Sequence, residues 1–389
     1  MQIRLKSMNK LLEAVMRRNW LLHAGAGVCL PLLWSMQAGA AGFANADFSA
    51  AGVGVGNANV AGIADPSAAS YNPSAAAWMD GFQLEGVVMN KSRNTSVRRG
   101  GFVIPNFGGT PDARSIHMTW MPHSSNFGMT AAFTTPFLAN SQWSPALPGV
   151  SALSLKGRRL SVDLVYAISS TLAVSHGVDW YWFKASMDRG ASTFSGEDKA
   201  SFGAHIGVNW KFSPFWHAGF LLRSGAKASM KDNLNQSLAL ETPDEVKLGL
   251  SHDVGDAVRL ELDADWSRWS KLKSMDVTKA GAVVQSSPVD LQDSFAIKSS
   301  ATWYWRPNTT LRFGYGYETA ANKKAALQPM IADLPGHRLS MGVGGRVMEV
   351  HMDLAYAYQF RTKTQAGGAF AGEYRDRDQT FALSISYDF

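Results

Sequence analysis

The chain has 389 residues, including 36 Gly, 20 Phe, 13 Trp and 10 Tyr, and only 17% of its residues are charged. This length is enough to bury a sizeable core or to close a large sheet on itself. The formal charge of +6 comes mostly from the first forty residues, which hold five basic residues and one acidic residue, so the remainder carries only +2. That balance argues against a nucleic-acid-binding protein.

Residues 1–40 predict a secretory signal peptide. Basic residues precede an apolar run from Trp20 to Met36, and Ala-Gly-Ala follows at positions 38–40. We expect cleavage after Ala40. An uncleaved membrane anchor is the alternative, although the run is short for a bilayer span of about 20 residues. The only cysteine, Cys29, lies in this leader, so we expect an exported chain without disulfides or thiol chemistry.

A segment rich in Ala, Gly and Ser runs from Gly42 to Gly81 and does not alternate in polarity. Its glycines at 52–56 resemble a dinucleotide loop, but the preceding strand, the third glycine at the required spacing and the downstream acidic residue are missing. Asp65-Pro66 and Asn72-Pro73 are suited to begin short helices. We interpret residues 41–80 as a compact hatch that plugs a barrel lumen. A flexible periplasmic leader is the alternative.

From residue 82 onward apolar and polar residues alternate, which is the period of a β-strand. In the last strand Phe381, Leu383, Ile385, Tyr387 and Phe389 alternate with polar or small residues. No run after the leader reaches about 18 apolar residues, which excludes a transporter of membrane-spanning helices. Fourteen strands are predicted, at 82–98, 112–121, 126–137, 157–169, 171–188, 199–212, 215–231, 241–253, 256–269, 291–305, 308–318, 336–348, 349–362 and 374–389.

This pattern predicts a closed barrel in a membrane, residues 81–389. An even number of antiparallel strands, with tight turns at one rim and long polar loops at the other, is typical of outer-membrane proteins. In the strand near 256–269 the face opposite the apolar residues carries Arg259, Glu261, Asp263 and Asp265, a row of charges that a protein core does not accept. We therefore expect a water-filled or ligand-filled lumen. A secreted β-sandwich is the alternative.

Several motifs relate the chain to a known family. The hatch carries Ala61 to Asp65 and Ser70 to Ser74, and the barrel carries an Asp-Trp-Ser-Arg-Trp-Ser run at 265–270. Further matching pieces lie in the same order at 126–133, 241–249, 311–315 and 334–338. Over nearly the whole mature chain, the sequence resembles the FadL family of outer-membrane transporters for long-chain fatty acids and other hydrophobic compounds. The hatch motif Tyr71-Asn72-Pro73-Ser74 departs from the family's Asn-Pro-Ala-Gly at Ser74 and Ala75.

The resemblance implies an all-β fold, a fourteen-stranded antiparallel transmembrane barrel with a small helical hatch in its lumen. It also implies a side exit where the third strand is kinked. That strand contains Thr135 and Pro136, and a proline cannot donate a hydrogen bond to a neighbouring strand, so we predict the lateral opening there. The alternative is a proline at the end of the strand that leads into the loop.

Ligand-binding candidates fall into two groups. Phe137, Leu138 and Trp143, together with Leu147 and Val150, are expected to form an exposed apolar landing site on the following loop, unless the loops pack on one another. By alternation Lys298 and Arg312 point into the lumen, where a base can bind a carboxylate or pair with acids such as Glu261. The resemblance places Lys184 among the basic lumen residues. Residues 180–183 are aromatic on both faces and cannot be assigned to one.

We therefore expect a monomeric outer-membrane protein of a Gram-negative bacterium that passes hydrophobic molecules inward by diffusion, through a ligand-gated hatch and a lateral wall opening. The expected ligand is a long-chain fatty acid, with aromatic hydrocarbon uptake, a general porin and a structural barrel as alternatives. Expected partners are outer-membrane lipid, lipopolysaccharide and the barrel insertion machinery, which reads a terminal aromatic such as Phe389. No cofactor, metal or catalytic residue is expected, since the motifs of an outer-membrane lipase are missing.

Overall fold

Alternating side chains give this chain long strands, and the strands close into a barrel. In the computed structural model, which describes residues 42–109, 112–147, 152–189 and 193–389, the strands form one antiparallel sheet. They are β1 (Gly81–Arg99), β2 (Phe102–Pro105), β3 (Ala113–Met121), β4 (Phe127–Ser141), β5 (Ala152–Ala167), β6 (Leu172–Asp188), β7 (Thr193–Ser213), β8 (Trp216–Arg223), β9 (Lys227–Lys231), β10 (Gln236–Glu241), β11 (Glu245–Val254), β12 (Val258–Ser267), β13 (Val277–Lys279), β14 (Ala282–Gln285), β15 (Ser294–Arg306), β16 (Thr309–Glu318), β17 (Gly336–Val347), β18 (Val350–Arg361), β19 (Thr364–Ala366) and β20 (Gly372–Asp388).

The barrel closes between its first and last strands. Gln83 of β1 lies opposite Thr119 of β3 on one side and opposite Asp388 of β20 on the other. Six short strands, β2, β9, β10, β13, β14 and β19, extend the loops, and the other fourteen cross the wall. The predicted fourteen-stranded barrel is therefore confirmed. Some strand bounds differ, as in β4, which extends to Ser141, and the predicted strand 215–231 is two strands, β8 and β9, separated by residues 224–226.

The two rims differ in the length of their connections. Residues 168–171 and 255–257 are tight turns at one rim, whereas long loops lie at the other, among them residues 319–335. In outer-membrane barrels the short turns face the periplasm and the long loops face the outside. We refer to these ends as the short-turn rim and the long-loop rim.

The outer wall is apolar and the inner wall is polar. On β20, Phe381 and Ile385 are 52% and 47% exposed, whereas Thr380 and Ser384, which alternate with them, are 2% and 1% exposed. A belt of exposed apolar side chains on every side is suited to contact with lipid rather than water. The buried polar face belongs to a lumen that another part of the chain must fill.

Residues 42–80 fill the lumen. They include helix α1 (Ala50–Gly54), helix α2 (Ala68–Tyr71) and a 3-10 helix at Pro73–Trp78, which begins with the proline of the predicted Asn72-Pro73 start. Further 3-10 helices lie in the loops at Trp269–Lys271, Lys324–Ala326, Pro329–Ile331 and Gly368–Phe370. No helix within the described ranges has both the length and the apolar character needed to span a bilayer. We call residues 42–80 the hatch; the predicted signal peptide lies outside the described residues.

Candidate functional site

The hatch is attached to β12 through its own backbone. The amides of Asn59 and Val60 donate to Asp263 Oδ2 at 2.6 and 3.1 Å, and the amides at positions 61 and 62 donate to Glu261 at 2.6 and 3.1 Å. Buried backbone N–H groups require a hydrogen-bond acceptor, and these four have no strand partner of their own. The acidic inner face predicted for this strand therefore holds the hatch, and we call this attachment the β12 grip.

Glycines of the wall allow this close approach. A Cβ atom at Gly219 would lie 2.2 Å from the carbonyl oxygen of Val60, and one at Gly314 would lie 2.2 Å from the carbonyl carbon of Val55. Both separations are far below van der Waals contact, so any side chain there would push the hatch backbone away. Glycines at these positions therefore allow the wall strands to contact the hatch backbone directly.

Asp47 is the hatch's charged contact with the wall. Its carboxylate accepts from Lys91 at 2.6 Å and from Arg338 at 2.7 Å, and Asn57 of the hatch donates to it at 2.8 Å. Burial raises the pKa of Asp47, but Arg338 and Lys91 outweigh burial and hold that pKa well below its usual range. Asp47 is therefore ionised at neutral pH and links β1 to β17 through the hatch.

The predicted hatch motif forms a hydrogen-bonded turn. The side-chain amide of Asn72 donates to the carbonyls of Val60 and Val208 at 2.8 and 3.0 Å, and the Ser74 hydroxyl donates to Asn72 Oδ1 at 2.6 Å. Tyr71 accepts from the Phe48 amide at 3.1 Å. Ser74, where the family pattern has alanine, thus adds a hydrogen bond that orients the Asn72 amide.

Pro136 lies at a break in the wall. Register shifts between Thr134 and Phe137 of β4, which places a bulge at residues 135 and 136. The strand continues to Ser141, so the alternative of a proline at the strand end is wrong. Within the bulge, the Pro136 carbonyl accepts from the Asn45 amide at 2.7 Å and the Thr135 carbonyl accepts from the Asn45 side chain at 3.0 Å.

The start of the hatch closes this bulge from inside. In addition to the Asn45 bonds, the Leu138 amide donates to the Phe43 carbonyl at 2.9 Å. Carbonyls of a bulge that found no partner in the neighbouring strand are therefore satisfied by hatch residues 43–45. We call this attachment the bulge contact.

The 319–335 loop holds Gly42 of the hatch. Asp333 Oδ2 accepts from the amides of Gly42 and Ala321 at 2.9 and 2.7 Å. Burial raises the pKa of Asp333 to about 8, against the opposing effect of Arg361. Gly42 of the hatch, close to the bulge contact, is therefore fixed to the 319–335 loop.

A cavity with both apolar and charged walls lies beside the bulge contact. Its apolar part is formed by Phe48, Phe137 and Tyr181, next to Arg159 and Arg223. Three carboxylates also line it, those of Glu245, Asp265 and Glu318. The free volume is about 50 Å³, well below the roughly 300–1,000 Å³ of ordinary ligand pockets. A ligand of any length can enter this cavity only if the hatch residues beside it move.

Two arginines of this cavity share one carboxylate. Arg223 Nη1 donates to both oxygens of Asp179 at 2.5 Å, whereas Arg159 Nε lies 3.7 Å from the same group. Arg159 Nε and Nη2 and Arg223 Nη2 have no hydrogen-bond partner among the described residues, although both side chains are only 3% exposed. Buried polar groups are normally satisfied, so these N–H groups are suited to an anionic oxygen.

A second cavity lies on the short-turn side of the hatch. It has a free volume of about 310 Å³, and its lining includes Asp65, Arg259, Glu261, Arg312 and Asp353. Burial, followed by the nearby Glu85 carboxylate, raises the pKa of Asp65 to about 6. This cavity is lined by charges and has the character of a wet vestibule.

The structure separates the two predicted lumen bases. Lys298 points inward, lines the cavity beside the bulge contact and pairs with Asp265 at 2.5 Å. Arg312 also points inward but lines the second cavity, where it pairs with Asp353. Only Lys298 is therefore near the bulge contact, and both bases already have acidic partners.

Lys184 does not face the lumen. Tyr181 and Phe183 are buried on the inner face of β6, whereas Trp180 and Lys184 are exposed on the outer face. The lumen position implied for Lys184 is therefore wrong. Aromatic residues occur on both faces because the inner ones pack against Phe137, with ring centroids 6.2 and 5.9 Å from it, while the outer ones contact lipid.

The prediction of an exposed landing site at the end of β4 and on the following loop is also wrong. Phe137, Trp143 and Leu147 are 5%, 9% and 3% exposed. Trp143 donates to the Pro329 carbonyl at 2.9 Å, and its ring lies 6.0 Å from that of Tyr374. Leu138 is half-buried against an apolar cluster of hatch and wall residues, and Val150 lies outside the described residues. The loops pack on one another, as the alternative stated.

Sequence reasoning missed Arg159, Arg223 and Asn45. Leu160 and Val162 were predicted to face outward. Because Arg159 alternates with them, its inward direction could have been predicted from the sequence. Asn45 gave no such signal, because its partners are backbone carbonyls that become free only when β4 bulges.

Comparison with known proteins places this fold. A family model described as outer membrane protein transport protein (OMPP1/FadL/TodX) matches residues 31–389. The chain is similar to a Pseudomonas aeruginosa FadL homologue, with a TM-score of 0.77 and 18% identity over 90% of this chain and 100% of that one. It is also similar to the Pseudomonas putida toluene transporter TodX, with a TM-score of 0.71 and 15% identity over 90% of this chain and 100% of that one. The Ralstonia pickettii toluene transporter TbuX gives a TM-score of 0.68 and 14% identity, over 88% of this chain and 98% of that one. No curated protein matches the sequence.

Proposed function

The chain belongs to the outer membrane protein transport protein (OMPP1/FadL/TodX) family, and we propose that the hydrophobic compound it carries is a long-chain fatty acid. Membership makes it a transport protein for hydrophobic compounds in the outer membrane of a Gram-negative bacterium, as the resemblance implied. The proposal of a fatty acid is supported by one observation above all. Arg159 and Arg223, whose side chains keep N–H groups that are partnerless among the described residues, line the cavity that also contains the rings of Phe48, Phe137 and Tyr181.

The cavity suits an amphiphile with one anionic end. Arg159 stacks on the ring of Phe48 at 5.5 Å, so an aliphatic tail beside that ring leaves the guanidinium free for a carboxylate. Burial of the tail supplies most of the affinity, at about 0.8 kcal/mol per methylene. The guanidinium supplies selectivity, because a ligand without an acceptor leaves its N–H groups unpaired.

Ligand entry and lateral release follow from the same contacts. Because the cavity is too small for a fatty acid, an entering tail displaces the hatch around Phe48 and Asn45. Loss of the Asn45 bonds then frees the carbonyls of Thr135 and Pro136, and the bulged part of β4 opens a side route into the lipid. No energy source is needed, since the ligand itself provides the free energy that moves the hatch.

A binding experiment separates fatty acids from other hydrophobic compounds. Palmitic acid, methyl palmitate and toluene are titrated into the purified protein, its Arg159→Gln variant and an Arg375→Gln control, whose changed side chain lies on the outer face of β20. Loss of a buried charged hydrogen bond is expected to weaken palmitate binding by roughly 10- to 100-fold. Methyl palmitate binding stays unchanged, which also shows that the variant is folded.

Three outcomes contradict the proposal. Equal loss of palmitate and methyl palmitate affinity in Arg159→Gln means that the arginine supports the fold rather than the carboxylate. Binding of toluene without palmitate assigns the protein to monoaromatic hydrocarbons. A large steady ion conductance of the intact protein in planar bilayers is the result expected of a general porin instead.

A further inference from the structure

The outer wall carries a basic patch at the long-loop rim. It comprises Arg114 on β3, Lys156 and Arg158 on β5, and Lys184 on β6, and we call it the wall patch. Arg158 and Lys184 are exposed, the Arg114 side chain is 75% exposed, and Lys156 is half-buried. All four alternate with buried inward residues, so they face away from the lumen.

These bases are close together and only weakly neutralised. Lys156 and Lys184 are direct partners in the β5–β6 register, which places their Cβ atoms about 4.5–5.5 Å apart. Such like-charged pairs destabilise a sheet. Among the described residues, neither of them nor Arg158 has a carboxylate within ion-pair distance. Arg114 lies 3.8 Å from the exposed Asp112, and Glu197, opposite Lys184, pairs with Lys199 at 2.8 Å.

The patch lies directly beyond a band of outward aromatic side chains. Phe133 packs on Trp182 with ring centroids 6.2 Å apart, Trp180 stacks on Trp182 at 4.8 Å, and Phe202 lies 5.9 Å from Trp180. Lys184 is the next outward residue after Trp182 on β6, and Arg158 lies opposite Trp182 on β5. Aromatic belts mark the level of the lipid headgroups, so the bases lie at or just outside that level.

The opposite wall has no such feature. Seven consecutive barrel strands, from β8 to β18, end at the long-loop rim with outward residues that are not Lys or Arg. These residues are Leu222, Val246, Trp266, Phe295, Tyr317, His337 and Phe360. Outward bases also occur at Arg98 on β1 and at Arg375 and Arg377 on β20. The wall patch differs from them because it places two lysines directly opposite each other, and this points to a local ligand.

We propose that the wall patch binds the phosphorylated headgroup of a lipid A-type glycolipid in the outer leaflet. Phosphate groups supply the missing counter-charges for Lys156, Arg158 and Lys184, and the aromatic band contacts the acyl chains of the same molecule. Arg158 is also the residue opposite the β4 bulge, because Thr134 pairs with Arg159 and Phe137 with Gly157. The bound glycolipid thus lies beside the proposed lateral opening. This inference is independent of the ligand that the cavity takes.

The test measures lipid-dependent stability of the full barrel. Thermal unfolding in detergent with EDTA is followed while bisphosphorylated lipid A is titrated, and the titration is repeated with dephosphorylated lipid A. The patch variant Lys156→Gln/Arg158→Gln/Lys184→Gln is compared with a control that loses the same charge, Arg99→Gln/Lys279→Gln/Lys363→Gln, at exposed positions outside the patch. We expect lipid A to raise the unfolding temperature of the wild type and the control. The patch variant is expected to need roughly 100-fold more lipid A for the same shift.

Each other result overturns the proposal. An equal response of the patch variant and the wild type shows that other groups bind the glycolipid. An equal response of the wild type to the dephosphorylated lipid shows that acyl-chain packing alone is responsible. If the patch variant is less stable without lipid, the comparison still holds, because the measured quantity is the shift that lipid A adds to each protein.

Discussion

The β12 grip and the bulge contact hold the same hatch to opposite parts of the wall by different chemistry. At β12, four hatch amides donate to the carboxylates of Glu261 and Asp263. At the bulge, the bonds join neutral groups of residues 43–45 to β4 and lie beside a cavity. The β12 grip holds four consecutive backbone amides, whereas the bulge contact consists of three bonds next to a cavity that a ligand has to enlarge. The hatch is therefore anchored at β12 and is expected to move at the bulge.

The largest effect is expected when the β12 grip is removed. In Glu261→Ala/Asp263→Ala four buried amides lose their partners, at a cost of about 1–3 kcal/mol each. The hatch should leave its position and open the lumen to ions. Single-channel conductance in planar bilayers measures this, with Asp256→Ala at an exposed turn as the control. Unchanged conductance and unchanged protease resistance of residues 42–80 would show that the bulge contact alone retains the hatch.

Substitution of Asp47 tests how much of the hatch moves together with residues 43–45 at the bulge. Replacing it with Ala leaves Lys91 and Arg338 without their shared carboxylate, and breaking a buried ion pair costs about 3–5 kcal/mol. We expect faster exchange of hatch amides with deuterium around residues 43–57, with those at 59–62 still protected. Loss of protection throughout the hatch would contradict an independent β12 anchor.

The low pKa of Asp47 predicts that the stability of the protein depends on pH. The pKa of Asp47 is held well below its ordinary value, so the unfolded state binds its proton at higher pH than the folded state does. Its stabilising contribution is therefore complete at neutral pH and is lost as the pH falls below about 4. The difference in unfolding temperature between wild type and Asp47→Asn should shrink on acidification from pH 6 to pH 3. A constant difference would mean that Asp47 is not ionised.

The fold was predictable and parts of the site were not, for physical reasons. Alternation revealed fourteen strands and the inward direction of Glu261 and Asp263, because a wall with lipid on one side has only one apolar face. Alternation did not reveal the direction of Lys184, because the inner face of β6 next to it is also aromatic. It could not reveal the burial of Trp143, which depends on Pro329 and Tyr374, far away in the sequence.

Loosening the bulge contact alone should have a smaller effect than either change above. Asn45→Ala removes the side-chain bond to the Thr135 carbonyl, which contributes about 1 kcal/mol. We expect the hatch to stay in place and palmitate uptake by whole cells to rise severalfold, because a weaker contact opens more often. Leu138→Ala, which trims a side chain packed on an apolar cluster of hatch and wall residues without removing a bond of the bulge, serves as the control. Slower uptake in Asn45→Ala would place the rate-limiting step away from the bulge.

Ser74→Ala should have the smallest effect. It tests whether the Asn72 turn belongs to the anchored part or to the moving part of the hatch. The substitution restores the family's alanine and removes the bond from the Ser74 hydroxyl to Asn72 Oδ1, worth about 1 kcal/mol. The Asn72 amide keeps its bonds to Val60 and Val208, so the turn should persist with slightly faster amide exchange at residues 72–76. Because Val60 donates its own amide to Asp263, the β12 grip supports this turn from the side opposite the bulge. If Ser74→Ala instead increased palmitate uptake as much as Asn45→Ala, the moving part of the hatch would have to include the Asn72 turn, and the anchor would be confined to residues 59–62.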